Sequence, residues 1–174
     1  DVVLKMGTFA FNANSTGLTT TSFSSRVPGG TDYTGCQIWL EAVTAFTGNQ
    51  TINIGYLDQD GNAGAATYAH PANAETVGQM MPLVPPAAAA AGFQQLTSFT
   101  ASVSSGTAGD VGVTLLRRIA TIGIPSINQE SFKGALDLCL SRVRTDACLA
   151  FMVQCTTTST GIIQGDYGLS EVTP

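Results

Sequence analysis

Few residues in this chain have the types and spacing that catalysis or metal binding requires. His70 is the only histidine, so a Ser-His-Asp or Cys-His relay would have to run through it. It precedes Pro71 in a segment that reads as a loop, and no G-x-S-x-G elbow accompanies it. Asp58, Asp60 and Asn62 have the alternate oxygen spacing that opens a calcium loop. The glycine, however, comes at the fourth position as Gly61 rather than at the sixth, and the twelfth position is Ala69, which has no carboxylate. The segment therefore reads as a turn between strands. Asp110, Asp137, Asp146 and Asp166 fall on different segments, so no acid/base pair follows from their spacing. Cys36, Cys139, Cys148 and Cys155 show no C-x-x-C spacing, and no second histidine completes a zinc set. They read as reduced, mostly buried thiols, with one long-range disulfide as the alternative. The expectation is no catalytic residue, no metal and no cofactor, hence no enzyme.

Composition points toward association. Charged residues are 11% of the 174-residue chain, against a usual share of about 25%, so hydroxyls must solvate much of the surface. The net charge is −5, with lysine only at Lys5 and Lys133. Binding to nucleic acid needs clustered cations, and this balance, without a basic arm, argues against a phosphate-neutralising surface. The longest apolar stretch, residues 83–92, is interrupted by Pro85 and Pro86 and is far shorter than the ~20 residues that span a bilayer.

Hydrophobic periodicity supplies the architecture. Phe99, Ala101 and Val103 alternate with Ser98, Thr100 and Ser102, giving a strand with one apolar and one hydroxyl face. A Ser-Ser-Gly-Thr-Ala-Gly-Asp segment then leads into a second strand over 111–122, and the two read as a local hairpin. Cys36, Ile38, Leu40, Ala42 and Phe46 predict a strand over 36–46, with Gln37, Trp39 and Glu41 facing the other way. Through Thr47-Gly48-Asn49 it is expected to form a hairpin with 51–57, where Ile52, Ile54 and Tyr56 share a face. Residues 65–69 and 77–83 are weaker strand candidates. Residues 85–91 read as a connection, 125–146 as a loop followed by a short strand, 147–155 as a nearly buried strand, and 162–172 as a last alternating run. The sum is an all-β antiparallel sandwich or jelly roll of about eight or nine strands over 36–174. Residues 1–35 mix Gly, Ser, Thr and Asn with isolated apolar side chains and predict an extended N-terminal arm, with little regular structure. Its Phe9, Phe11 and Phe23 must pack either on the chain's own sandwich or on a neighbouring chain.

Interface candidates follow from what faces away from that core. Trp39 stands on a polar strand face, and aromatic residues are enriched at interface hot spots. Arg117 and Arg118 interrupt an apolar strand, which suits either contact with a partner's carboxylates or a charged edge that resists strand addition. The candidate set is Phe9, Phe11, Phe23, Trp39, Arg117 and Arg118.

Residues 51–64 (TINIGYLDQDGNAG), Met81-Pro82-Leu83, residues 106–114 (GTAGDVGVT), residues 146–151 (DACLAF) and residues 161–165 (GIIQG) resemble small virion proteins of tailed bacteriophages. Within that class the likeness is to capsid decoration, or cement, proteins. The resemblance implies a jelly-roll type sandwich that assembles as a trimer on the outside of the head and binds the major capsid protein. No nucleic acid or membrane partner is implied. The virion exterior is the implied location, following synthesis in the host bacterial cytoplasm. A tail or neck component, or a receptor-binding or carbohydrate-binding spike domain, is the alternative role for the same fold.

Overall fold

The computed structural model describes residues 2–11, 23–48, 50–70, 77–83, 91–102, 109–119, 121 and 147–150. Among them are seven strands: β1 (Val2–Ala10), β2 (Cys36–Ala42), β3 (Gln50–Asp58), β4 (Ala63–His70), β5 (Met80–Leu83), β6 (Phe93–Ala101) and β7 (Asp110–Arg117). Two antiparallel sheets, ordered β1-β7-β2-β5 and β4-β3-β6, make an all-β sandwich. The expected fold class is therefore observed.

Two-residue alternation decides which side chains meet between the sheets. Cys36, Ile38, Leu40 and Ala42 from β2, Val111, Val113 and Leu115 from β7, and Ile52, Ile54 and Tyr56 from β3 are all buried in one apolar cluster. Strand β6 contributes Phe93, Leu96, Phe99 and Ala101 to it, at spacings that strict alternation does not allow. The β3–β6 register explains this: it slips between Gly55 and Tyr56 and again between Leu57 and Asp58, so Thr97 and Gln94 are extra residues in β6. Each bulge restores the inward phase for the next apolar residue. The predicted hydroxyl face lies opposite, where Ser98 is exposed and Thr100 half-buried.

Both expected hairpins are corrected. Strands β2 and β3 belong to different sheets, and so do β6 and β7. Alternation sets which face of a strand is apolar, and two strands from opposite sheets both turn that face toward the same core. Strand β2 ends at Ala42, because Val43 and Thr44 bend and Phe46 keeps only an isolated bridge. That bend is pinned by Asp110: Thr44 Oγ donates to its carboxylate at 2.7 Å, and the Asp110 N–H donates to Thr44 Oγ at 2.9 Å. Gly109 makes room for it, since a Cβ there would lie 2.5 Å from that of Phe46.

Residues 1–35 also depart from the expected arm. Val2–Ala10 is an edge strand paired with β7, and two 3-10 turns follow at Ser24–Arg26 and Pro28–Gly30. Phe11 and Phe23 are 1% and 3% exposed, and their rings meet Phe46 and Tyr33 at centroid distances of 4.7 and 5.4 Å. Of the two packing alternatives, the chain's own sandwich takes these rings. Over Ala147–Ala150 no strand forms, and Cys148 and Ala150 are exposed, so the nearly buried strand expected there is not seen in its described part. The expectations for 85–90, 125–146, 151–155 and 162–172 lie outside the described residues.

The turn joining β3 to β4 shows what the Asp58-x-Asp60-x-Asn62 spacing does. One Asp58 carboxylate oxygen accepts the N–H groups of Asn62 and Asp60 at 2.8 and 2.9 Å, the other accepts the Asn62 amide at 3.2 Å, and Gly61 adopts φ +83°. The carboxylate caps its own turn, as side chains of this type do. The Asn62 N–H, the Asn62 amide and the Asp60 and Gly61 N–H groups hold the Asp58 carboxyl below its ordinary value of 3.8, outweighing burial. A folded pKa below the unfolded one gives stability that is present above about pH 4 and is lost as pH falls through the folded value. Urea midpoints measured from pH 2 to 7 should therefore show the advantage of the native protein over Asp58→Asn shrinking below pH 4. A pH-independent gap would contradict the role given to this carboxylate.

Candidate functional site

The outer face of the four-stranded sheet carries the candidate site. Register alone places Lys5 beside Thr114, Thr114 beside Trp39, and Trp39 beside Pro82, a row that crosses β1, β7, β2 and β5. The next row pairs Glu41 with Gly112 on one side and Met80 on the other. Lys5 and Glu41 stand two strands apart, yet their charged ends meet at 2.8 Å across the central strand. Thr114 of β7 lies between them in the register, and its Oγ is 3.5 Å from a Glu41 oxygen. This explains part of an unusual burial pattern, in which β7 is buried on both faces from Val111 through Leu116.

The face therefore divides into two halves. Toward β1, the charges of Lys5 and Glu41 are matched within the chain. Toward β5, Trp39, Pro82 and Met80 form a half-exposed apolar corner, and Val77 is 67% exposed in the turn that precedes β5. The indole N–H of Trp39 donates to Gln37 Oε1 at 3.2 Å, which fixes the ring from the neighbouring position on the same strand face. A ring held in place this way loses little freedom when a partner covers it. The outer face of the other sheet carries a polar row: Thr100, Asn53 and Thr67 stand side by side, and Thr67 Oγ donates to Asn53 Oδ1 at 2.7 Å.

No protein-family model, curated protein or solved structure matches this chain.

The remaining sequence candidates are dispersed. Phe11 and Phe23 are core residues, and Phe9 is half-buried against the core. Arg117 lies in register with Cys36 at the end of β7, and its guanidinium is 3.9 Å from the Asp32 carboxylate of the same chain. Since β7 is central, neither arginine guards a sheet edge, which corrects that part of the expectation. Arg118 is exposed just past the strand, and its N–H donates to the Gly35 carbonyl at 3.2 Å. His70 closes β4 rather than lying in a loop. Cys36 is a buried thiol, and burial pushes its pKa up to about 11, so it is unreactive at neutral pH. Cys139 and Cys155 lie outside the described residues. Among those described, no group of His, Cys, Asp and Glu could hold a metal ion, and no helix is long and apolar enough to cross a membrane.

Sequence reasoning singled out Trp39 but missed Met80 and Pro82 beside it. Their segment looked only like a weak strand, and no local signal says that it docks on β2.

Proposed function

We propose that this chain is a structural component of a bacteriophage virion that binds the outside of the capsid and stabilises the major capsid protein lattice, as a decoration protein does. The observation that carries the reading is the apolar corner of Trp39, Met80 and Pro82, which lies beside the charge-matched Lys5–Glu41 half of the same sheet face and after the exposed Val77 turn. Aromatic and methionine side chains in a patch of low charge are the composition of an interface core. The likeness of residues 51–64 and 106–114 to cement proteins supplies the partner.

The mechanism is one of linkage. Packaged DNA presses capsomers apart, and a protein that binds only the expanded lattice stabilises it in proportion to its affinity and free concentration. Repeated copies, arranged as trimers in the resemblance, turn weak single contacts into strong retention. Particles produced without this protein should release their DNA at lower temperature and on chelator treatment, and adding the purified chain back should restore them. Equal survival of depleted and complete particles would exclude a cement role.

A further inference from the structure

A sheet edge exposes a row of unpaired backbone groups, and proteins usually protect it with proline, lysine, bulges or short length. Here the protection is uneven. Strand β1 carries Lys5 and two register irregularities, β6 carries the bulges at Gln94 and Thr97, and β5 is four residues long and contains Pro82. The placement of Pro82 is informative. The Ala42 N–H donates to the Gln79 carbonyl, and antiparallel bonding alternates, so Met81 and Leu83 bond toward β2 while Met80 and Pro82 turn their backbone outward. Proline removes a donor at an outward position of an edge.

Strand β4 has no such device. It pairs with β3 in unbroken register from Gln50↔His70 to Leu57↔Ala63, and residues 63–69 contain no charge and no proline. The direction of its free groups follows from the turn. Since the Asp58 N–H donates to the Asn62 carbonyl at 2.9 Å, the even-numbered residues of β4 bond to β3. The N–H and C=O groups of Ala63, Ala65, Thr67 and Ala69 therefore point away from the sheet, at positions that are all exposed. Among the described residues, no strand pairs with this edge.

We propose that the β4 edge pairs antiparallel with the same edge of a second copy of this chain, about a two-fold axis at Ala66, joining two three-stranded sheets into one continuous sheet. A register centred on Ala66 sets Ala63 opposite Ala69 and Ala65 opposite Thr67. These are bonded pairs, so every outward N–H and C=O of those residues finds a partner. The absence of charge matters because symmetric pairing brings like residues together, and like charges facing each other would oppose it. The same register sets Asn62 opposite His70. A two-fold contact of this type closes on itself and does not propagate. It rests on the β4 edge alone and depends neither on the capsid reading nor on the trimer that the resemblance implies.

The test is sedimentation of the full chain over a concentration series, beside Ala65→Pro. That substitution repeats the Pro82 device: it deletes an outward N–H and leaves the β3–β4 bonds intact. A double substitution, Ala65→Lys with Thr67→Lys, sets like charges across the axis and serves as a second variant if the proline disturbs folding. Concentration-dependent dimerisation of the native chain is expected, with at least tenfold weaker association in either variant and unchanged circular dichroism. Hydrogen exchange at Ala63, Ala65, Thr67 and Ala69 should slow as concentration rises. Three results would overturn the proposal: a chain that stays monomeric at all concentrations, an oligomer indifferent to both variants, or protection of these amides that persists in the dilute monomer.

Discussion

Phe99→Ala is expected to lower the unfolding free energy by about 3–5 kcal/mol, the range for emptying a buried aromatic site. Phe99 is fully buried, at 0% exposure. It sits on β6 in register with Ile54 of β3, within the cluster that also holds the apolar residues of β2 and β7. Both sheets therefore lose contacts when the ring is removed. A rigid sandwich closes such a cavity only in part, because the strands are held at fixed spacing by their ladders. With a total stability of about 5–15 kcal/mol, the loss is a large share of the whole. Urea denaturation followed by tryptophan fluorescence gives the number. Phe99→Leu, which keeps most of the volume, should cost much less and supplies the comparison if the alanine variant does not fold. Val77→Ala, at an exposed position, should change stability by no more than about 0.5 kcal/mol. A cost below about 1 kcal/mol for Phe99→Ala would mean that the two sheets do not share one core.

The contrast between Phe99 and its neighbours shows what sequence could and could not reveal. Alternation around Ser98, Phe99, Thr100 and Ala101 gave the correct faces, because a two-residue period is a property of the backbone itself. The phase slips at Gln94 and Thr97 were invisible, since a bulge has no fixed residue signature. Pairing partners were harder still. Residues 36–46 and 51–57 both read as strands flanking a turn, which fits a hairpin and a sheet-to-sheet crossover equally well. Tertiary packing chose the crossover. Val2–Ala10 escaped recognition because its pairing with β7 is broken by two irregularities. For the candidate site, one strand face identified Trp39, whereas the Lys5–Glu41 bridge and the Met80–Pro82 flank required knowing that β1 and β5 lie on opposite sides of β7 and β2. Local pattern specifies a face, and only topology specifies the neighbours on it.

If the chain has the proposed capsid role, Trp39→Ala is expected to weaken binding to capsids by about 30-fold or more while leaving the fold intact. The two halves of that expectation have separate causes. Trp39 is on the outward face of β2 and half-exposed, so its removal leaves the inward residues Ile38 and Leu40 in place and opens no internal cavity. At an interface, truncating a tryptophan at a hot spot costs about 2 kcal/mol or more, and each 1.4 kcal/mol is tenfold in affinity. The ring is already held by its bond to Gln37 and flanked by Pro82 and Met80, so the native protein loses little side-chain freedom on binding. Gln37→Ala should cause a smaller loss, because it frees the indole without removing its apolar surface. Lys5→Ala should change binding least, since that charge is matched by Glu41 on the other half of the face. Cosedimentation of each variant with depleted capsids, at several salt concentrations, measures all three. An apolar contact should respond weakly to salt, whereas charge-driven binding should fall steeply. If Trp39→Ala binds as well as the native chain and Lys5→Ala does not, the contact lies on the β1 half of the sheet and the assignment of the apolar corner fails.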